Sequence, residues 1–336
     1  MIGHCERVRV ERFDEGHLDA AATLLAESLG MHAQDTGLPY TFTDSASART
    51  AIADALQTGP GVVALDDSVV VGFMIGPLPK VPGSGDSRIK IVHHATSAPV
   101  ARDAYRRMYE RVARDLVGAG CFEHVVLVST GQPAALAALF ELRFGVDQIK
   151  GVRPLVGTPD IEPGGETIRR AELGDLDRLV ELSIELAQFH ARSPMLTPAL
   201  LDVASIGPSL TQHITAGSEV VLVACNGERV IGMIQAQPDG LYANTATIGL
   251  NIVTEHARSD GVGTTMLNAL CGWASDAGFE RCAVSWDSAN LISDAFYRAR
   301  GFTPARYDLR RNVDPRVAWA NDHLDYGQFK RQHKTP

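Results

Sequence analysis

The chain has 336 residues, 45% hydrophobic and 21% charged, with a formal net charge of −9. That length favours about two domains over one core, and the composition excludes a disordered or fibrous chain. The acidic balance argues against a nucleic-acid partner bound through a broad basic surface. Five cysteines (Cys5, Cys121, Cys225, Cys271 and Cys282) are odd in number and form no CxxC pair. They fit reduced thiols better than a disulfide framework or a metal site. The start, "MIGHCERVRVERF", has no apolar run of signal-peptide length and nothing further on could span a bilayer, so a cytoplasmic chain with no membrane partner is expected.

Taken in order, residues 7–12 read as a strand, and "DEGHLDAAATLLAESL" (14–29) as a helix. "GVVALDDSVVVGFMIG" (61–76) reads as two strands around a turn, and the Gly-rich "PGSG" (82–85) as a hairpin tip. "RPLVGTPDIEPGGE" (153–166) has linker composition. The chain then begins again. Residues 167–170 form a strand, and the next segment places Leu176, Leu179, Val180, Leu182 and Leu186 on one helical face. Asn226-Gly227 between "VVLVAC" and "RVIGMIQA" is a hairpin signal. "TATIGLNIV" (245–253) alternates as a strand. A helix with Val262, Met266, Leu267 and Leu270 on one face follows, then the strand "RCAVSW", a short helix around 294–300 and a last strand near 307–310.

The two halves are copies. "ELGDLDRLVELSIELA" (172–187) repeats residues 14–29, "EVVLVACNGERVIGMIQ" (219–235) repeats 61–76, and "SDAGFERCAVSW" (275–286) repeats 117–129. Gly120 and Gly278 stand 158 residues apart, and Phe140 and Tyr297 stand 157 apart. The expected division is therefore 1–158 and 159–336, each half a mixed α+β sheet flanked by helices.

Within the second half, Val253-Thr-Glu-His-Ala-Arg258-Ser-Asp-Gly261-Val-Gly263 ends a strand and opens a helix. Unpaired N–H groups at a helix N-terminus carry the positive end of its dipole, and glycines let a diphosphate reach them. The same stretch could instead be a plain loop whose Ser259 or Asp260 caps the helix. Further on, Asn290 precedes Phe296-Tyr297-Arg-Ala-Arg-Gly301-Phe302.

These two blocks resemble the signatures of the GNAT (Gcn5-related) N-acetyltransferase superfamily, and the whole chain resembles a tandem-GNAT protein. The resemblance implies acetyl-CoA as acyl donor, held by Arg258, Ser259, Asp260, Gly261, Val262, Gly263 and Thr264, with Asn290 nearby. It places the pantetheine arm and the thioester oxygen on the backbone of Ile252 and Val253, where one N–H facing an oxyanion contributes about 3 kcal/mol. It makes Tyr297 the general acid for the departing thiolate, a transfer uphill by roughly 2 kcal/mol at ordinary pKa values. Glu255 is the first candidate for the base, with His256, Glu185 and His190 open beside it. Asp260 suits a diphosphate site only if it points outward.

In the first half the corresponding positions are Val100, Asp103 and Tyr105, with Phe140 at the tyrosine position and Pro133 at the asparagine position. That half is expected to be catalytically silent. The implied function is transfer of acetyl to a primary amine of a small molecule by direct attack, by a monomer or homodimer. Transfer of another acyl or aminoacyl group, and a non-catalytic CoA sensor or scaffold, stand as alternatives.

Overall fold

A computed structural model describes residues 8–41, 44–80, 85–155, 166–197 and 202–317. Cys5, most of the Gly-rich tip at 82–85, most of the linker at 153–166 and the basic tail "YGQFKRQHKTP" lie outside the described residues. The chain divides into two compact units, one made of Met1–Gln148 with Ala305–Pro336, the other of Ile149–Pro304.

The first unit opens with β1 (Val8–Arg12), α1 (Leu18–Thr36), α2 (Ser45–Leu56), β2 (Gly61–Asp66) and β3 (Val69–Ile75). It continues through β4 (Ser87–Ile89), β5 (His94–Thr96), α3 (Ala101–Gly118), β6 (Glu123–Ser129) and α4 (Pro133–Glu141). β1, β2, β3 and β5 make an antiparallel sheet in that order. β4 runs parallel to β6 over Ser87–Ile89. Tyr105, Met108, Tyr109 and Val112 of α3 enter the core at helical spacing and pack with Val62, Met74 and Val126.

β7 (Gly145–Pro154) begins in the first unit and from Ile149 on belongs to the second. Then follow β8 (Thr167–Arg170), α5 (Leu176–His190), α6 (Val203–Thr215), β9 (Val220–Asn226), β10 (Arg229–Pro238) and β11 (Thr245–Val253). α7 (Val262–Asp276), β12 (Arg281–Asp287), α8 (Leu291–Arg298) and β13 (Thr303–Asn312) complete the described chain. In the second unit β8, β9, β10 and β11 are antiparallel neighbours, β11 runs parallel to β12, and β7 lies on the far side of β12. The expected hairpin forms one residue on from the Asn226-Gly227 pair: Asn226 ends β9 opposite Arg229 of β10, and the turn is Gly227-Glu228, with Gly227 at φ +59°. On one face of this sheet Leu179, Leu182 and Leu210 of α5 and α6 pack on Val221, Val223, Met233 and Ile252.

The units do not follow a cut at 158/159. From Arg306 to Asn312, β13 is antiparallel to β6 of the first unit, Arg306 opposite Ser129 and Asn312 opposite Glu123. The strand flanking β12 of the second unit comes from the end of the first repeat. Each repeat thus supplies the final strand of the other unit. Gly151 on β7 is required by that placement: a Cβ there would stand 2.5 Å from Cζ3 of Trp286 on β12.

Candidate active site

The site is built on an irregularity of β11. The β10–β11 register shifts between Gln235 and Ala236, whose partners are Leu250 and Ile248, so Gly249 is an extra residue bulged out of the ladder. The bulge coincides with the parting of two strands. β11 pairs with β12 from Thr245 opposite Arg281 to Ile248 opposite Val284, and the pairing stops there. β11 nevertheless runs on to Val253, and β12 to Asp287. Beyond that point, among the described residues, no strand pairs with the β12-side edge of β11 over Gly249–Val253, which leaves backbone groups open to an extended ligand.

Past Val253 the chain makes one 3-10 turn, Glu255–Ala257, and enters α7 with Gly261 as N-cap at φ +90°. No side chain caps this helix, so neither Ser259 nor Asp260 plays the capping role open to it in the sequence. Asp260 is exposed, and Ser259 carries the turn at φ +74°. A Cβ on Gly263 would lie 3.3 Å from Cε2 of Phe296, so α8 approaches the first turn of α7 closely. Arg258 donates from Nε to the carbonyl of Val253 at 3.0 Å, and its guanidinium stacks 4.6 Å from the ring centre of Phe189. Thr264 accepts from Nε of Arg300 at 3.1 Å, and the Arg300 guanidinium covers the Phe296 ring at 3.8 Å. A second cation therefore stands beside the start of α7. The sequence blocks leave it out because their pattern specifies no residue between Tyr297 and Gly301.

Tyr297 is buried on α8, stacked on Trp286 with ring centres 5.4 Å apart and edge-on to Phe302. Its hydroxyl accepts from Nδ2 of Asn251 at 3.2 Å, so the phenol reaches the part of β11 beyond its last pair with β12. Burial pushes its pKa up to about 12, against the Asn251 hydrogen bond that lowers it. The phenol therefore stays protonated near neutrality. Donation to an ordinary thiolate near 8.5 is then uphill by about 3.5 units, roughly 5 kcal/mol, more than the 2 kcal/mol that unperturbed values give. Asn290 caps α8, its side-chain oxygen accepting from the Ser293 N–H at 3.0 Å, and so fixes the helix that carries Tyr297.

The base candidates separate. Glu255 is exposed and pairs with Arg192 at 3.2 Å, while His256 is exposed. Glu185 accepts from Arg178 at 3.0 Å. His190 ends α5, its pKa lowered by burial against the opposing pull of Asp287. On the α5–α6 face, Gln235, Asn251's cross-strand neighbour by one step, lies against Gly249, near His213 and Glu219. None of these last three is singled out by a motif.

In the first unit the strand equivalent to β11 is broken into β4 and β5 by a 3-10 turn at Ile91–His93. His94 fills the break: one ring nitrogen contacts the Tyr105 hydroxyl at 2.7 Å, the other the Leu127 carbonyl of β6 at 2.8 Å. α3 begins at a Val100 N-cap without glycine, and Phe140 is exposed on α4.

Residues 192–302 match the sequence model of the acetyltransferase (GNAT) family. No curated protein matches the chain. Among solved structures, a GCN5-related N-acetyltransferase from Sphaerobacter thermophilus is similar at TM-score 0.60 and 14% identity, over 92% of this chain and 97% of that one. A GNAT-family acetyltransferase from Colwellia psychrerythraea gives 0.54 and 12%, over 91% and 100%. A tandem GNAT protein from the clavulanic acid biosynthesis pathway gives 0.51 and 13%, over 92% and 99%. Likeness at such identities speaks to the fold. No described helix is long and apolar enough to cross a membrane. Residues 192–302 thus resemble the acetyltransferase (GNAT) family, and the chain has the mixed α+β fold of these structural relatives.

Proposed function

We propose that the chain moves the acetyl group of acetyl-CoA to a primary amine of a small molecule, by direct attack, at the site in the second unit. The observation that carries this reading is the parting of β11 from β12 after Ile248, with the glycine-opened start of α7 at one end and Tyr297 anchored alongside. The donor's diphosphate meets the N–H groups of Gly261, Val262 and Gly263, an arrangement favoured by the helix dipole and by Arg258 and Arg300 nearby. Its pantetheine arm lies along Ile252 and Val253 in the gap, extending the sheet by backbone hydrogen bonds.

The amine attacks the thioester carbon, the C–N bond forms as negative charge collects on the carbonyl oxygen beside the β11 backbone, and the nitrogen gives up one N–H proton to water. Collapse breaks the C–S bond, and the thiolate takes the proton of Tyr297, which solvent later replaces. The roughly 5 kcal/mol uphill step requires that proton transfer accompany C–S cleavage rather than precede it. The first unit is inactive in this reading, because His94 bridges the gap that the donor arm would need.

The test is release of CoA from acetyl-CoA in the presence of a panel of primary amines. Turnover that Tyr297→Phe lowers about a hundredfold without weakening acetyl-CoA binding is the expected result. Binding without turnover of any amine would point to a CoA sensor instead.

A further inference from the structure

Resting on the transfer reading above, we propose that the acceptor enters across the α5–α6 face of the second unit and that Asp287 holds a second positive charge on it. The substrate class is then a diamine, or another amine with two cationic groups. Two residues mark the opening. Ile248 and Val284 form the last pair of β11 and β12, and the next residues on the two strands are Gly249 and Ser285. Both are exposed, although β11 lies between β10 and β12, and β12 between β11 and β7. A central strand with helices on both faces of its sheet is ordinarily covered. Here the covering layer leaves a hole.

Alternation along the strands assigns the hole to one face. Trp286 stacks on Tyr297 of α8, so its neighbours Ser285 and Asp287 point to the opposite face of the sheet. On β11, Leu250 and Ile252 pack against α5 and α6 on that face. The Cβ position of Gly249 is directed there too, 2.2 Å from Oε1 of Gln235, which shares the face of Met233. α5 ends close by. Phe189 stacks on Arg258, and the next residue, His190, is under the electrostatic pull of Asp287.

Asp287 closes β12 and is half-buried, with Oδ1 accepting from the Ala289 N–H at 2.7 Å. Among the described residues it makes no ion pair with a lysine or arginine. Other carboxylates of the unit are engaged: Glu185 with Arg178 at 3.0 Å, Asp239 with Lys150 at 2.6 Å, and Glu219 with His213. Burial lowers the pKa of His190, so its ring is neutral near pH 7 and leaves the Asp287 charge standing. A half-buried carboxylate in that position favours a ligand that brings its own cation.

Under the transfer reading the donor's sulfur comes to Tyr297, whose hydroxyl sits on Asn251. The acetyl group then points back toward Gly249, and the reacting amine stands in the opening beside Ser285. Asp287 lies two residues further along β12, roughly 7 Å from Ser285 at the usual rise per residue. That separation puts the carboxylate beyond the attacking nitrogen and suits a second ammonium at the far end of a short carbon chain.

The test is kcat/KM at pH 7 for 1,3-diaminopropane, 1,4-diaminobutane and 1,5-diaminopentane, each against the monoamine of equal chain length, in the unaltered protein and in Asp287→Asn. Asparagine keeps an acceptor for the Ala289 N–H and removes the charge. The unaltered protein should favour at least one diamine by about tenfold or more, and the variant should reduce that preference to within about twofold. Acetyl-CoA affinity should hold in both. Absence of any diamine preference in the unaltered protein would overturn the inference and leave the transfer reading intact. A preference that survives in Asp287→Asn, with both kinds of amine slowed alike, would make Asp287 a structural residue and overturn it too. An unaltered protein that turns over no primary amine would take the transfer reading with it.

Discussion

The hydroxyl of Tyr297 accepts a hydrogen bond from Nδ2 of Asn251 at 3.2 Å, joining α8 to the stretch of β11 beyond its last pair with β12. This contact fixes an acid 5% exposed where β11 runs on past its last pair with β12. Asn251→Ala removes the donor that offsets burial and drives the phenol's pKa further upward. The expected outcome is a roughly tenfold fall in kcat, against about a hundredfold for Tyr297→Phe, with acetyl-CoA affinity unchanged in both. Steady-state kinetics with calorimetric binding checks this, and a matching loss of affinity would assign the pair to binding.

Gly249→Ala offers a milder probe of the acceptor side. The added methyl meets the far end of the Gln235 side chain, which can swing aside. Stability should fall by only about 1 kcal/mol, while KM for the amine rises several-fold and KM for acetyl-CoA holds. Equal effects on both would show that the bulge itself, rather than Gln235, had been disturbed.

The first unit buries His32, His93, His94 and His124, each with its pKa lowered to about 4, burial being the first cause in every case. In the unfolded chain these rings titrate near 6.5, so below that pH the unfolded state binds more protons and stability falls with falling pH. The contribution is fully present above about 6.5 and is lost progressively toward 4, at most roughly 3 kcal/mol per ring and less than additive for neighbours. Urea midpoints at pH 7.5, 6 and 5 should drop steeply, and His94→Gln should start lower but fall less. A flat profile over this range would contradict the burial of neutral rings.

The exchanged strands make a prediction about fragments. A piece beginning at residue 159 lacks Ile149–Leu155, which flanks β12 and whose Leu155 N–H donates to the Glu280 carbonyl at 2.9 Å. It should unfold without a cooperative transition, whereas residues 145–304 should show one. Cooperative unfolding of the shorter piece would mean that β7 is dispensable to the second unit.

Much of this architecture is legible in the chain because local signals suffice for it. Residues 245–253 alternate and form β11 over that span, and the hairpin signalled by Asn226-Gly227 forms with its turn one residue on, at Gly227-Glu228. The glycines of the opening loop sit where positive φ and the close approach of Phe296 demand them. What escapes the sequence depends on partners distant along the chain. The pattern of β13 says that it is a strand but not that it pairs with β6. Asn251, Gln235 and Arg300 follow no motif, since their roles arise from a one-residue bulge and from the packing of α8 on α7. The loss of the cradle at Val100 is visible in the sequence, but the plugging of the gap by His94 is a matter of side-chain reach.

The central claim is a single acyl-donor site, at the start of α7. Native mass spectrometry of the intact protein and of Gly261→Glu, each with acetyl-CoA, tests it most directly. At φ +90° the substituted residue is strained, and it brings a carboxylate to the N-terminus of α7, where a diphosphate would be repelled. One acetyl-CoA per chain, lost in the variant, is the predicted result. Two per chain would show that the first unit binds a donor despite His94, and none would contradict the acyltransferase site altogether.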